Sequence, residues 1–194
     1  MPRLVILVTG TPCVGKTSIA RALCSKLNAL YINLTELALR ENLVAREDEK
    51  RKSIIVDDIR MQRKIQKIMK KCDKDVVLDG HYAASVVPKK LVTRIFILRR
   101  DPVELRKLME NRGFSGQKLW ENLASEILDV CLVDALKLHD KRKVCEVNVT
   151  NKDVENVVHE ILDVLSGRKQ CNVGIVDWLG KLESEGILDE YLKY

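Results

Sequence analysis

Short apolar runs alternate with amphipathic stretches along most of the chain. The runs lie at residues 3–9, 75–79, 92–98 and 143–149, with a weaker one near 30–32. Each run is brief and rich in β-branched residues, which is typical of strands buried on both faces of a parallel sheet. Because helical patterns separate the runs, we expect an α/β protein, a three-layer sandwich whose five-stranded parallel sheet is flanked by helices.

The helical patterns differ in how clearly their ends are marked. Residues 16–27 carry apolar side chains at four-residue spacing. "DPVE" at 101–104 and "TNKD" at 150–153 are typical helix starts, the second of a helix that runs to residue 165. One long helix is expected over about 117–139. The stretch between 33 and 60 is charged, has a helical pattern and lacks a strong strand signal.

The length of 194 residues is that of a single domain, with an amphipathic, acidic helical tail at about 172–194. The expected docking residues of the tail are Ile175, Trp178, Leu179 and Leu182. No apolar run reaches the ~18 to 20 residues of a membrane span, so we expect a cytoplasmic protein, with a monomer favoured. The six cysteines are scattered, with no C-x-x-C pair, and indicate neither a zinc site nor a disulfide framework.

Positive charge is concentrated in one segment. Residues 60–74 hold seven basic residues and one acid, so this segment accounts for the whole net charge of +6. On a helix, the apolar positions form one stripe and leave the basic side chains on the other face. That face is either ordinary solvated surface or a binding site for an anionic partner such as RNA.

The strongest chemical signal is "GTPCVGKT" at residues 10–17, which fits the phosphate-loop pattern G-x-x-x-x-G-K-[ST] between a strand and a helix. In such a loop the glycines let backbone N–H groups surround phosphate oxygens, the lysine reaches the β- and γ-phosphates, and the hydroxyl binds Mg²⁺. The cofactors predicted are therefore ATP and Mg²⁺. The residues assigned to nucleotide binding here are Gly10, Cys13, Gly15, Lys16, Thr17 and Ser18.

Two further segments supply candidate catalytic residues. "VVLDGHY" delivers Asp79 to the carboxyl end of a strand, where it could share Mg²⁺ with Thr17. His81 could orient a water, contact the transferring group or brace the loop. Arg112 lies in a glycine-flanked loop between two helical patterns, and we expect it to be the cation of a short lid that neutralises the phosphoryl oxygens. Arg99 and Arg106 are weaker candidates.

The charged stretch after the first helix would hold the phosphoryl acceptor. Arg40, Asp57 and Arg60 could contact the base or phosphate of a nucleoside monophosphate, and ordinary solvated surface is the alternative.

Several of these segments together resemble a known family. They are "GTPCVGKTSIA", "LDGHY", "ILRRDP", "NRGFSGQKLWENLASEILDV" and "VNVTNKDVENVV". The chain is similar over about residues 4–166 to the archaeal putative adenylate kinases and to their eukaryotic counterpart, the nuclear adenylate kinase isoenzyme six. Cys13 stands where a glycine is frequent, which fits the loop if position 13 avoids positive φ.

The resemblance implies a P-loop nucleoside monophosphate kinase that transfers phosphate from ATP to AMP, with a slower ATPase activity. It implies a role in small ribosomal subunit maturation beside a ribosomal protein and precursor rRNA. By the same likeness, ATP contacts fall on Cys13, residues 15–18 and Arg112, the monophosphate region covers about 33–56, and the lid about 112–122. Asp79 and His81 fall on a motif whose histidine is tied to hydrolysis and assembly.

Three functions are therefore compared. The first is an ATP:AMP phosphotransferase of broad acceptor range, and the second is an ATPase switch for ribosome assembly with little kinase activity. The two are compatible in one protein. The third, a kinase of a small hydroxylic metabolite, fits the long charged insertion poorly.

Overall fold

The computed structural model describes residues 3–48 and 53–192. The strands in these ranges are β1 (Val5–Thr9), β2 (Leu30–Asn33), β3 (Val44–Asp48), β4 (Ser53–Val56), β5 (Val76–Asp79), β6 (Arg94–Arg99) and β7 (Val144–Asn148). Five of them form one parallel sheet in the order β2-β5-β1-β6-β7, with β1 at its centre. Each of these five strands lies within two residues of a predicted apolar run, so the expected sheet is confirmed.

The helices in the described ranges are α1 (Lys16–Leu27), α2 (Leu34–Arg40), α3 (Asp58–Lys71), α4 (Ala83–Val86), α5 (Pro102–Asn111), α6 (Gly116–Ile127), α7 (Val130–Leu138), α8 (Val154–Leu165), α9 (Trp178–Ser184) and α10 (Leu188–Tyr191). A 3₁₀ turn spans Lys141–Lys143. The predicted starts of α5 and α8 are confirmed, because Asp101 accepts the N–H of Val103 at 2.8 Å and Asp153 accepts that of Asn156 at 2.7 Å. None of the helices in the described ranges has the length and apolar content needed to cross a bilayer.

The central strand β1 contributes side chains to both hydrophobic cores. Ile6 and Val8 point into a core shared with α1, α5, α6 and α8, whereas Val5 and Leu7 point into a core shared with α2, α3, α4 and α7. This alternation follows from the two-residue period of a strand. Helices cover both faces of the sheet, and the chain forms the predicted three-layer sandwich.

The expectation of one long helix over 117–139 is wrong. The helix ends at Ile127, and Asp129 adopts a left-handed conformation with φ 57° before α7 begins. The Asp129 carboxylate pairs there with the guanidinium of Arg99. The break sends α6 to one core and α7 to the other, which a continuous helix could not do.

The stretch after β2 also differs from the expectation of a helical region without strands. It contains the short helix α2, followed by β3 and β4, which pair antiparallel. Residues 49–52 of the predicted monophosphate region lie outside the described residues. β-branched residues at 44 and 54–56 favour the strands, but their helical and charged neighbours obscure the pattern.

The tail packs against α6 and the edge strand β7. Trp178, Leu182 and Tyr191 are buried in the same core as α6, whereas the other two expected docking residues, Ile175 and Leu179, are exposed. The cysteine expectation is wrong at one pair, because a disulfide joins Cys145 of β7 to Cys171 at the start of the tail. Those two cysteines are 26 positions apart and become neighbours only through the fold.

Candidate functional site

The loop of residues 10–17 follows the central strand and opens α1, as the motif predicts. Gly10 has φ 137°, and a Cβ at this position would lie 2.5 Å from the carbonyl oxygen of Leu98. Gly15, the residue before α1, has φ 107°. Both conformations favour glycine, so these two residues shape the loop in the way that a phosphate-binding backbone requires.

Cys13 has a positive φ, the backbone conformation that side chains other than glycine's disfavour. Its φ is 70°, in the left-handed region. The expectation that this position avoids positive φ is therefore wrong, and the loop carries local backbone strain at Cys13.

Lys16 folds back over the loop. Its Nζ donates to the carbonyl oxygen of Thr11 at 2.8 Å. Burial lowers the pKa of Lys16, and the negative charge of Asp79 acts in the opposite direction. The ammonium group therefore lies in a poorly solvated position where an anionic phosphate would be attracted strongly.

Asp79 is the buried carboxylate at the carboxyl end of β5. Its Oδ2 accepts from Oγ1 of Thr17 at 2.7 Å, from the hydroxyl of Tyr31 at 3.0 Å and from Nδ2 of Asn33 at 3.1 Å. The structure thus brings Thr17 and Asp79 together. Tyr31 and Asn33 were not predicted. They reach Asp79 because β2 lies beside β5, with Asn33 directly opposite Asp79.

The donor set of Thr17 and Asp79 fits Mg²⁺, which prefers hard oxygen ligands and is usually held by one or two carboxylates together with substrate phosphates. Within residues 3–48 and 53–192, no group of three or more His, Cys, Asp or Glu side chains could hold a metal ion. A magnesium ion here would therefore share its coordination between the two side chains and the nucleotide.

His81 lies two residues beyond Asp79, on the exposed side of the loop. Its backbone carbonyl accepts from Oγ1 of Thr9 at 3.0 Å, which ties this loop to the central strand. Although the ring reaches solvent, crowding by the surrounding protein lowers the pKa of His81 to about 4, and the positive charge of Lys16 adds to this effect. The imidazole is neutral at pH 7 and can accept a hydrogen bond.

A cleft of about 220 Å³ lies beside the loop. Cys13, Gly15, Ser18 and Arg112 all line it, together with residues at the start of α8. Arg112 is exposed at the end of α5, and the loop of the expected lid is only residues 112–115, since α6 begins at Gly116. Arg112 therefore lines the same cleft as the phosphate loop.

Sequence reasoning missed Arg100, which lines the same cleft. Its Nη2 lies 3.4 Å from the carbonyl oxygen of Val14, and its other guanidinium end pairs with Glu104. Its Nε is buried without a hydrogen-bond partner in the described part of the chain. The sequence feature that could have pointed to Arg100 is the pair of adjacent arginines in "ILRRDP".

The two weaker arginine candidates lie elsewhere. Arg99 is buried and bound to Glu126, Asp129 and Glu146. Its burial alone would lower its pKa, but the carboxylates of Glu126 and Asp129 raise it. Arg106 pairs with Glu110 at 2.9 Å, and its guanidinium lies over the rings of Trp120 in α6 and Tyr191 in the tail.

Arg40, Asp57 and Arg60 are the three residues predicted to bind the acceptor. In the described ranges, no hydrogen bond links them to the phosphate loop and no cleft contains them together with it. Asp57 caps α3, accepting the N–H of Arg60 at 3.0 Å, and the side chain of Arg60 is exposed. Arg40 lines a separate cleft of about 290 Å³ that also contains Tyr31 and Asn33.

Comparisons with known proteins place the chain in a family. A family model described as an AAA domain matches residues 6–129. A protein of Methanocaldococcus jannaschii named "Putative adenylate kinase" is 36% identical over 91% of this chain and 93% of its own. One of the same name from Pyrococcus furiosus is 38% identical over 90% of this chain and 91% of its own.

Solved structures show the same fold at low identity. A shikimate kinase of Bacteroides thetaiotaomicron superposes with a TM-score of 0.56 at 16% identity, covering 84% of this chain and 98% of its own. A gluconokinase of Sinorhizobium meliloti gives 0.51 at 16% identity, covering 85% of this chain and 93% of its own. At such identities the likeness concerns the fold alone.

Proposed function

We propose that this chain, which belongs to the family of archaeal putative adenylate kinases, transfers the γ-phosphoryl group of ATP to AMP. The reaction would be reversible and dependent on Mg²⁺. Other nucleoside monophosphates would be accepted more slowly. The observation that carries the proposal is the 2.7 Å contact between Thr17 and Asp79 beside the half-buried Lys16.

The donor half of the reaction follows from this arrangement. The backbone of residues 10–17 would surround the β-phosphate, and Lys16 would exchange its contact with the Thr11 carbonyl for phosphate oxygens. Magnesium, when bound, supplies positive charge to the β- and γ-phosphates. Asp79 and Thr17 would hold it, with Tyr31 and Asn33 fixing the carboxylate of Asp79 from the neighbouring strand.

Two arginines that line the cleft would assist the transfer. Phosphoryl transfer leaves little covalent work to the protein, so cations placed near the transferring group contribute much of the catalysis. Arg112 is exposed at the end of α5, whereas Arg100 pairs with Glu104. We assign Arg112 to charge neutralisation in the transition state and Arg100 to binding of ATP.

The acceptor would approach from the side of α2. Arg40 is an exposed cation in the cleft that contains Tyr31 and Asn33, the side chains that contact Asp79. It is therefore the best candidate for the acceptor phosphate. Asp57 would have to release the N-terminus of α3 to contact a base, which makes it a weaker candidate than Arg60.

Turnover of ATP with a panel of acceptors tests this proposal. With Mg²⁺ present, ADP formation should be fastest with AMP, slower with other monophosphates and slowest with none. Lys16→Ala should abolish turnover and leave the circular dichroism spectrum unchanged, whereas Lys26→Ala, on the exposed side of α1, should leave turnover intact. A rate that no monophosphate changes would exclude the kinase reaction.

A second candidate function is that of an ATPase acting in small ribosomal subunit maturation, and two observations favour it. His81 is neutral at pH 7 and could orient an attacking water. The basic face of α3 leaves Arg63, Lys67 and Lys70 exposed, whereas Lys64 is engaged with Glu41 at 2.5 Å. Exposed cations in this number would bind the phosphate backbone of precursor rRNA.

Binding of a small-subunit rRNA fragment tests this second function. Reversal of Arg63, Lys67 and Lys70 to Glu should weaken binding at least tenfold and flatten its dependence on salt. Reversal of three exposed lysines on other helices, Lys26, Lys107 and Lys137, is the matched control and should have a smaller effect. Equal losses for the two triple variants would remove α3 as an RNA site.

A further inference from the structure

The carboxylate of Glu126 joins three parts of the molecule that are far apart in sequence. Its Oε2 accepts from Oγ1 of Thr11, in the phosphate loop, at 2.6 Å. Its Oε1 accepts from Nε of Arg99 at 2.9 Å, from the backbone N–H of Arg100 at 3.1 Å and from Nε1 of Trp178 at 3.2 Å. The carboxylate, which is almost fully buried, thus accepts four hydrogen bonds, three of them at Oε1.

The tail is held firmly enough to position its indole. The backbone N–H groups of Gly174 and Ile175 donate to Glu146, the partner of Arg99. Lys181 pairs with Asp101 at the start of α5. Trp178 lies between these two attachments and is buried against α6, so its N–H reaches Glu126 from a fixed direction.

The same hydrogen-bond network continues from Glu126 to Lys16 of the phosphate loop. Thr11 donates its hydroxyl to Glu126, and its backbone carbonyl accepts from Nζ of Lys16 at 2.8 Å. A change in the orientation of the Glu126 carboxylate would therefore move Thr11 and the resting position of Lys16.

We propose that Trp178 is a positioning residue for the phosphate loop, which it orients through Glu126 and Thr11. The C-terminal segment is thus part of the nucleotide site, although it contacts no nucleotide. This inference rests on the proposed function, in that Lys16 must bind the phosphates of ATP. A hydrogen bond to a buried carboxylate is stronger than one between neutral groups, so loss of the indole N–H alone should be measurable.

The fluorescence of Trp178 provides the first test. The chain has two tryptophans, so Trp120→Phe leaves Trp178 as the only indole. Titration of this variant with Mg·ATP should change the emission of Trp178, because Lys16 leaves the Thr11 carbonyl when phosphate binds. Adding Thr11→Val should reduce that change at least threefold, while Thr11→Ser, which keeps the hydroxyl, should restore it.

A double-mutant cycle on kcat provides the second test. Trp178→Phe, which removes the N–H and keeps an aromatic ring, should lower kcat three- to tenfold and leave the KM for ATP within twofold. Thr11→Val should lower kcat by a similar factor. If both act through Glu126, the double variant should be no slower than the slower single variant. Thermal denaturation would verify that each variant is folded.

The outcomes separate this inference from the proposed function. Calorimetry that detects no binding of Mg·ATP to the unmodified chain would overturn both. Binding with an unchanged Trp178 emission, and with single effects that multiply in the double variant, would overturn the inference alone. The cycle can be measured on kinase or on ATPase turnover, so it does not depend on which acceptor is used.

Discussion

At the scale of single residues, the strained backbone of Cys13 leads to a stability prediction. A non-glycine residue in the left-handed region costs about 1–2 kcal/mol, and the extra freedom of glycine in the unfolded chain offsets about 0.4–1 kcal/mol of that. We expect Cys13→Gly to raise the free energy of unfolding by up to about 1 kcal/mol, measured by urea denaturation.

Cys13→Ala is the matched control for this change. Alanine removes the sulfur but keeps the Cβ that causes the strain at φ 70°. It should therefore be less stable than the glycine variant. A glycine variant that is less stable than the alanine variant would show that the side chain of Cys13, and not its backbone, determines the energy of this position.

His81 gives a prediction about pH. Its pKa is about 4 in the folded chain and about 6.5 in an unfolded one. Between these values the unfolded state binds more protons, so the contribution of His81 to the free energy of unfolding should fall as the pH drops from about 6.5 to 4 and be constant above. NMR titration of the ring protons, assigned with His81→Gln, should show a midpoint near 4.

A midpoint at 6 or above for His81 would contradict this prediction. It would mean that the ring is well solvated in the folded chain and that a fraction of it is protonated near neutral pH. The dependence of stability on pH would then be the same in His81→Gln as in the unmodified chain between pH 4 and 6.

The residues of the site differ in how far the sequence could reveal them. Lys16 and Thr17 follow from a local motif, and Asp79 follows from the end of an apolar run. Tyr31 and Asn33 reach Asp79 only because β2 is placed beside β5, and the order of strands in a sheet is a long-range property. Arg99 and Arg100 are adjacent in sequence, yet only the packing of Glu126 and Glu146 decides which one is buried.

At the scale of elements, the docking of α9 on α6 yields a stability prediction. Leu182 is completely buried, whereas Leu179, on the same helix, is 39% exposed. Leu182→Ala should lower the free energy of unfolding by about 2–5 kcal/mol because it removes buried methyl groups and leaves a cavity. Leu179→Ala should change it by less than about 0.5 kcal/mol.

Chemical denaturation of the two variants tests whether the tail is part of the cooperative fold. Equal and small effects would mean that α9 detaches before the main unfolding transition. In the Trp120→Phe variant, the emission of the buried Trp178 reports on the same question, since it should change in the main transition if the tail unfolds with the sheet.

The elements whose prediction failed are those decided by contacts distant in sequence. Residues 117–139 have a continuous helical pattern, but the ion pair between Arg99 and Asp129 forms where the helix breaks. The two halves then pack into opposite cores. β3 and β4 lie in a region whose charge pattern is helical, and each is stabilised by pairing with the other. By contrast α1 and α8 end where their periodicity ends, because each packs one continuous face on the sheet.

At the scale of the whole molecule, the layers follow from patterning alone. Five runs of apolar residues separated by helices allow few arrangements besides a parallel sheet covered on both faces. The tail is different, because its attachment requires Glu126, Glu146 and Asp101, which come from three separate elements. An amphipathic pattern predicts that such a segment docks, but not where.

The phosphate loop couples nucleotide binding to the stability of this whole assembly. A ligand at a hundred times its Kd stabilises the folded state by about 2.7 kcal/mol, which for a chain of this length raises Tm by about 5–10 °C. We therefore expect a rise of this size when Mg·ATP is added at that excess, measured by differential scanning calorimetry. Lys16→Ala should remove the rise, whereas Lys26→Ala should retain it, because only Lys16 lies at the loop. An equal rise in both variants would mean that ATP binds at another site.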